Sequence, residues 1–490
     1  MALLSLPFLG LCVISLLLFH AVSSARWKRG VLGVASAVFV ASHALPDSSE
    51  YSFVMVIGSL LPMLVFAGLG YGLLLVVRAS TFTYYGTIIA VTASFFLIRH
   101  YDVVGQFVQS AGKPMTVGLA YIVFRILQVA MDYRNDQEMA FPRPGQYLYH
   151  LFAFYTFLSG PLLKFQDHEA QLHGLDSDKL TYAGAHTDYS RLITGIVKTA
   201  LIGEYLSMGA ARFLQWFLGA SDSPLHCSLF LASGALLFFL SVYVNFSGYM
   251  DVVIGLAGLF CLRLPENFNS PLEARNVFDF WQRWHITLSF WFKEYLFTPV
   301  LVHFERAGLK GNLRVFCIGL LYFSTFFLLG MWHGPNLTFI IVGVCLGASA
   351  TGNFIWQDAL KSSLSRTTYR AVQQSRIYQG VAGGITLGCM VFSLLFWWIP
   401  RDNWIFFTTD GTITLLALSF FATFFIAIPL RAATQAASKA YGRICEWEME
   451  RLRTDGGGGI RLILYGKIML LFCYFYFNRR ELPAFVYQYF

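Results

Sequence analysis

Two histidines stand out for the chemistry their surroundings allow. His285 lies in FDFWQRWHITLSFWFKEYLF, where Arg283, Lys293 and Glu294 alternate with Trp281, Trp284, Phe290, Trp291 and Tyr295. An imidazole in such a place keeps a pKa usable for proton transfer. The plainer reading is an amphipathic, aromatic collar with no chemistry of its own. His333 lies in GMWHGPN, after an apolar run, with Gly330, Gly334 and Pro335 around it. Those residues predict a broken helix whose freed backbone groups must be satisfied inside the protein. The alternative is a histidine in an ordinary loop between two helices.

Weaker signals accompany the pair. The run VNFSGYMDVVIG places Asn245, Ser247 and Asp251 in an apolar region. They either line a polar cavity or, the preferred reading, Asp251 pairs with a neighbouring cation. LSGPLLKF carries a Gly-Pro break before Lys164, which holds an anion or simply ends a helix; the simple ending is preferred. His168 and His173 suggest a zinc motif, but a spacing of five puts them on different faces of a helix, so no metal site is expected. Gly380, Gly384 and Gly388 recur every four residues, a helix-packing pattern rather than a phosphate loop.

The elements that hold these residues must sit in a bilayer. Of the 490 residues, 56% are hydrophobic and only 13% charged, against about 25% charged in an ordinary soluble domain. Mean hydropathy is +0.58. A soluble enzyme, a disordered chain and a disulfide scaffold are excluded. The net charge of +8 fits basic cytoplasmic loops facing anionic membrane lipid, and no nucleic-acid partner is expected. The eight cysteines are widely spaced, mostly in apolar runs, and read as buried free thiols.

Apolar segments recur from the first residues to 477, and about 20 residues are needed for a crossing. The expectation is an all-α, polytopic integral membrane protein with about eleven transmembrane helices plus re-entrant and interfacial ones. The segments at 31–46, 249–264 and 337–351 are short and are expected to be re-entrant or broken. Stretches 361–376 and 431–459 are basic or polar and read as cytoplasmic, as does 265–314. Three regions are expected: N-terminal transmembrane helices at 1–110, a catalytic core at 111–351, and C-terminal helices with cytoplasmic polar loops at 352–490.

With these residues in view, the chain resembles the membrane-bound O-acyltransferase (MBOAT) family, in its bacterial branch of alginate O-acetylation and teichoic-acid D-alanylation. The resemblance rests on PENFNSP, on FWQRWHITLSFWFKEYLF, and on GMWHG 48 residues beyond His285. VNFSGYMDVVIG, FLSGPLLKF and the terminal FVYQYF extend it, so that it covers about 115–350 plus the last residues. It implies the MBOAT fold, with His333 and His285 as the catalytic pair. It further implies an acyl thioester co-substrate (acetyl-CoA or an acyl carrier protein) entering from the cytoplasm, no bound cofactor, and an acceptor hydroxyl on the outer side. His333 is then the base for that hydroxyl; Asn336, Trp332 or backbone N–H groups near Gly334 are the candidate oxyanion donors. Trp284, Arg283, Asn245 and Asp251 complete the expected substrate-binding set. The expected setting is the bacterial inner membrane, beside a periplasmic SGNH-type acetyltransferase or other glycan-export components. Two departures are visible. Where this branch often has Gly-x-x-His the chain has Gly343-Val344-Cys345-Leu346, and the first 110 residues do not follow the alginate enzyme.

Overall fold

The computed structural model describes residues 6–43, 53–100, 118–175, 180–219, 224–334, 336–407, 412–454 and 469. Pro335, the glycines 456–459, the apolar segment 460–477 apart from Met469, Arg479, Arg480 and the ending FVYQYF lie outside the described residues. Among the described residues the structure is helical, with one isolated antiparallel bridge between Phe268 and Trp284.

Five described helices are long and apolar enough to cross a bilayer: 225–259, 311–333, 337–363, 376–398 and 416–436. Shorter apolar helices lie at Pro7–Ala21, Leu60–Leu74 and Thr81–Leu97. The protein is an integral membrane protein.

The chain divides into two compact units. One comprises the described residues within 1–193 and 250–265; the other comprises those within 194–249 and 266–469. In the first, α1 (Leu6–Ala21) packs on α2 (Ala25–His43), and α3 (Phe53–Leu74) and α4 (Thr81–His100) pack on α5 (Leu119–Asn135). Two short helices follow, α6 (Pro144–Phe152) and α7 (Phe165–Gly174), both in contact with α2. The Gly-Pro step of LSGPLLKF falls in the turn between them, and α7 starts directly after Lys164. On α7, His168 is buried while His173 is exposed beside Arg29, at 3.2 Å, so the five-residue spacing does separate their faces. α8 (Tyr182–Val197) closes this part of the chain.

The second unit holds α9 (Glu204–Gly219) and most of α10 (Pro224–Leu259), whose last residues from Met250 belong to the first unit. Three short helices come next: α11 (Val277–Trp281), α12 (Ile286–Phe292) and α13 (Thr298–Arg306). Then α14 (Gly311–His333) and α15 (Leu337–Ser363) form the most extensively packed helix pair, followed by α16 (Arg366–Gln374), α17 (Arg376–Trp398) and α18 (Thr412–Thr454).

Three boundaries differ from the sequence expectation. Segment 249–264 is not a separate short element, since most of it is the end of a helix of 36 residues that begins at Pro224. The polar residues ahead of it do not interrupt that helix, because Ser247 Oγ returns its hydrogen to Val244 O and Gly248 lets Thr199 approach. Segment 337–351 continues to Ser363 as a 27-residue helix. Its polar end is satisfied sideways, Gln357 bonding to Tyr378 and Tyr369, and Asp358 meeting Arg314 at 3.7 Å. Segment 31–46 starts earlier, at Ala25, because Lys28 is buried and donates to Leu175 O at 2.9 Å.

α14 and α15 approach closely at Gly330. A Cβ there would lie 2.4 Å from Gly343 Cα, so the two helices touch through backbone. Gly330 is thus a packing residue inside α14, and the break falls only after His333. Gly384 and Gly388 play the same part on α17 against Phe424 and Phe420, whereas Gly380 faces nothing within 4 Å.

Candidate functional site

His285 is held by a short crossing of chain on chain. Segment 267–269 runs antiparallel to 283–286, with Asn269 N donating to Arg283 O at 2.9 Å and Ile286 N to Asn267 O at 3.0 Å. α11 is stabilised at its start by Asn276, whose side chain accepts from Asp279 N at 2.9 Å. Asp279 in turn accepts from Arg283 Nε at 2.7 Å and from Arg275 N at 2.9 Å. These bonds bring the chain back on itself, and His285 takes the left-handed conformation, φ 45° and ψ 54°. A non-glycine residue there costs about 1–3 kcal/mol, a strain kept only where surroundings over-determine it.

The surroundings do so through Asn267, which is fully buried. Its Oδ1 accepts from Thr287 N at 3.0 Å, from Thr287 Oγ1 at 3.0 Å, and from His285 Nδ1 at 3.3 Å. A backbone N–H can only donate, so the atom facing it is the carbonyl oxygen of the amide. His285 Nδ1 therefore carries the hydrogen, and Nε2 keeps its lone pair. The ring is buried and meets Phe246 edge-on, centroids 4.9 Å apart. Burial, and after it the proximity of His333, lowers the pKa of His285 from 6.5 to about 3. The imidazole stays neutral across the working pH range.

His333 is the last residue of α14 and is half-buried. Trp332 lies beside it with ring centroids 4.6 Å apart; Phe339 stacks on it at 5.6 Å and Trp397 is at 6.3 Å. Gly334 N–H is already taken by Met331 O at 3.1 Å. Of the oxyanion donors expected from sequence, this backbone group is committed to ending the helix. Asn336 is exposed and caps α15, its Oδ1 accepting from Phe339 N at 3.1 Å while its amide N–H₂ stays available. Trp332 is buried.

The other expected residues make contacts within the protein. Trp284 stacks on Phe280 and Phe239, at 5.4 and 5.6 Å. Arg283 is tied to Asp279. Asn245 fills the space that a Cβ on Gly203 would take. Asp251 pairs with Arg191 at 3.0 Å, the structural role preferred for it.

A cavity of about 370 Å³ lies along α12, lined by Trp281, Ile286, Ser289, Lys293, Tyr322 and Thr325 among others, with neither histidine in its wall. The walls are mostly aromatic, and the buried Trp281 Nε1 has no hydrogen-bond partner among the described residues. Sequence reasoning missed Asn267, Phe246, Phe339 and Trp397. Asn267 had a visible signal, a polar residue between two prolines in PENFNSP; the aromatic residues are lost in a chain with 48 Phe and 11 Trp.

Residues 114–356 match the family model described as MBOAT, membrane-bound O-acyltransferase family. Over 233 residues the chain is 27% identical to the teichoic acid D-alanyltransferase of Bacillus subtilis (strain 168), covering 46% of this chain and 56% of that protein. It is 29% identical over 233 residues to the probable alginate O-acetylase AlgI of Pseudomonas aeruginosa, covering 48% of this chain and 41% of that one. With the peptidoglycan O-acetyltransferase of Helicobacter pylori it shares 32% identity over 210 residues, 42% of this chain and 37% of that protein. The match thus spans about half or less of the length of these curated relatives.

Proposed function

Because this chain belongs to the membrane-bound O-acyltransferase family, we propose that it moves an acetyl or other small acyl group from a thioester donor to a hydroxyl acceptor. The donor, acetyl-CoA or an acyl carrier protein, comes from the cytoplasm. The acceptor belongs to an exported polysaccharide or cell-envelope glycan, reached directly or through a periplasmic SGNH-type partner. The setting is the bacterial inner membrane, with about eleven spans. The observation that carries this reading is the buried His285, held by Asn267, together with His333 at the end of α14, both inside the matched domain.

In the proposed reaction His333 takes the proton of the acceptor hydroxyl as its oxygen attacks the thioester carbonyl. The carbon–sulfur bond then breaks, the ester forms, and the proton passes to the departing thiolate. Such base catalysis contributes about 10²–10⁴-fold. Neutral His285 shapes the donor side. The aromatic cavity along α12 suits the donor's chain, with Trp281 Nε1 available to a carbonyl of that chain.

A D-alanyl group is the second reading, favoured by the similarity to the Bacillus subtilis protein. The test is reconstitution of the full chain in lipid with labelled acetyl and D-alanyl thioesters and candidate acceptors. Label appearing in an ester is the expected result, and which donor delivers it separates the two readings. No transfer to any acceptor or to water overturns both.

A further inference from the structure

Away from the histidine pair, the first unit buries a second group of titratable side chains that the proposed reaction does not use. Arg125 on α5 is only 2% exposed. It donates to Leu151 O at 2.7 Å, to His150 O at 3.2 Å and to Thr156 O at 2.5 Å, gathering the turn after α6 around its guanidinium. His168, on α7, is bonded through both ring nitrogens: Tyr155 Oη lies 2.6 Å from Nε2, and His150 Nδ1 lies 3.2 Å from Nδ1. His150 is 3% exposed, and its other nitrogen, Nε2, has no hydrogen-bond partner among the described residues.

The direction of this chain of bonds follows from the groups in it. A neutral imidazole nitrogen accepts better than a phenol oxygen, so the Tyr155 O–H donates to His168 Nε2. His168 must then carry its hydrogen on Nδ1, which donates to His150 Nδ1. That leaves His150 with its hydrogen on Nε2, a buried donor in need of an acceptor. An unmet buried donor costs about 1–3 kcal/mol. A cavity of about 10 Å³ lies at this point, bounded by Arg125, His150, Thr156, Pro161 and Leu163. That is room for one body of the size of a water molecule. Arg125 puts positive charge on its wall, which disfavours a metal cation.

We propose that this cavity is a binding site for a single water-sized hydrogen-bond acceptor, a water molecule or a halide ion, held by His150 Nε2–H beside the Arg125 guanidinium. Its occupant completes the polar core that fixes the turn carrying Gly160 and Pro161 between α6 and α7. The site is separate from the acyl-transfer reading and stands or falls without it.

The test is a crystal structure of the full chain at a resolution that shows enclosed waters, from crystals grown in chloride and in bromide. The expected result is a density peak within about 3.3 Å of His150 Nε2. An anomalous peak there in bromide identifies a halide as the source; density without it identifies water. A vacant cavity, in maps where other enclosed waters are seen, overturns the proposal. In His150→Phe the peak should vanish while α5 and α7 superimpose on the parent, and a peak that persists removes Nε2 from the site. If that variant does not fold, the maps of the unaltered chain decide the question.

Discussion

Asn267 Oδ1 stands 3.3 Å from His285 Nδ1 and accepts at the same time from the backbone N–H and the hydroxyl of Thr287. One buried amide thus sets the tautomer of the histidine, pins the start of α12 and holds a strained backbone. Asn267→Ala should cost about 1–3 kcal/mol through the donors it strands, read as a lower melting temperature, and should lower kcat more than it raises KM. Asn267→Asp keeps an acceptor in place but adds a negative charge beside the ring. Its activity profile should therefore show a histidine titrating at higher pH than in the parent. An unchanged profile would separate Asn267 from His285 function.

His333 and His285 should respond differently to removal. His333→Ala takes away a half-buried ring at a helix end, so transfer should fall about 10²–10⁴-fold with little change in melting temperature. His285→Ala also strips the ring packed on Phe246 and leaves the Asn267 network incomplete, so stability and activity should fall together. Labelled-thioester transfer and thermal melting, run on both variants, check this. Transfer by His333→Ala at the parental rate would remove it as the base.

At the contact between α14 and α15, Gly330→Ala would drive a methyl group into Gly343 Cα. Backbone cannot yield as a flexible side chain does, so the helices must separate, at about 1–3 kcal/mol. His333 is three residues further along the same helix and should shift with it. The expected outcome is a lower melting temperature with reduced transfer, whereas Gly380→Ala, which meets nothing within 4 Å, should be near neutral.

Acid should destabilise the protein over a defined window. Burial, with His333 nearby, lowers the pKa of His285 from 6.5 to about 3, and burial, with Arg125 nearby, does the same for His168. Below about 6.5 the unfolded chain binds protons at these sites that the folded chain refuses. Their stabilisation is therefore complete above that pH and is lost progressively towards 3. Melting temperatures in detergent should fall between pH 7 and pH 4, and His285→Asn should remove part of the slope. A flat profile in the parent would contradict the burial of these rings as neutral groups.

Both histidine blocks were readable as local patterns. His285 is flagged by the charges and aromatics around it in sequence, and His333 by Gly334 directly after it, where the helix ends. Helix length was harder to read where polar residues interrupt an apolar run. Hydropathy takes Ser247 and Gly248 for a break, yet the bond from Ser247 Oγ to Val244 O and the contact of Gly248 with Thr199 let the helix pass through. Asn353, Gln357 and Asp358 misled in the same way at the end of α15, since the partners that satisfy Gln357 and Asp358 come from other helices.

By itself the sequence determined that this is a helical protein of the bilayer, because composition and helical hydropathy are summed over neighbours and need no long-range contact. It also singled out His285 and His333 as the candidate pair, since each block is contiguous. Only the tertiary structure decided what state those histidines are in. The tautomer of His285 depends on an amide 18 residues away, its neutrality on burial and on His333 48 residues further on, and the position of His333 on two glycines meeting across α14 and α15. Hydrogen bonding, desolvation and backbone contact act through space, and no spacing along the chain encodes them.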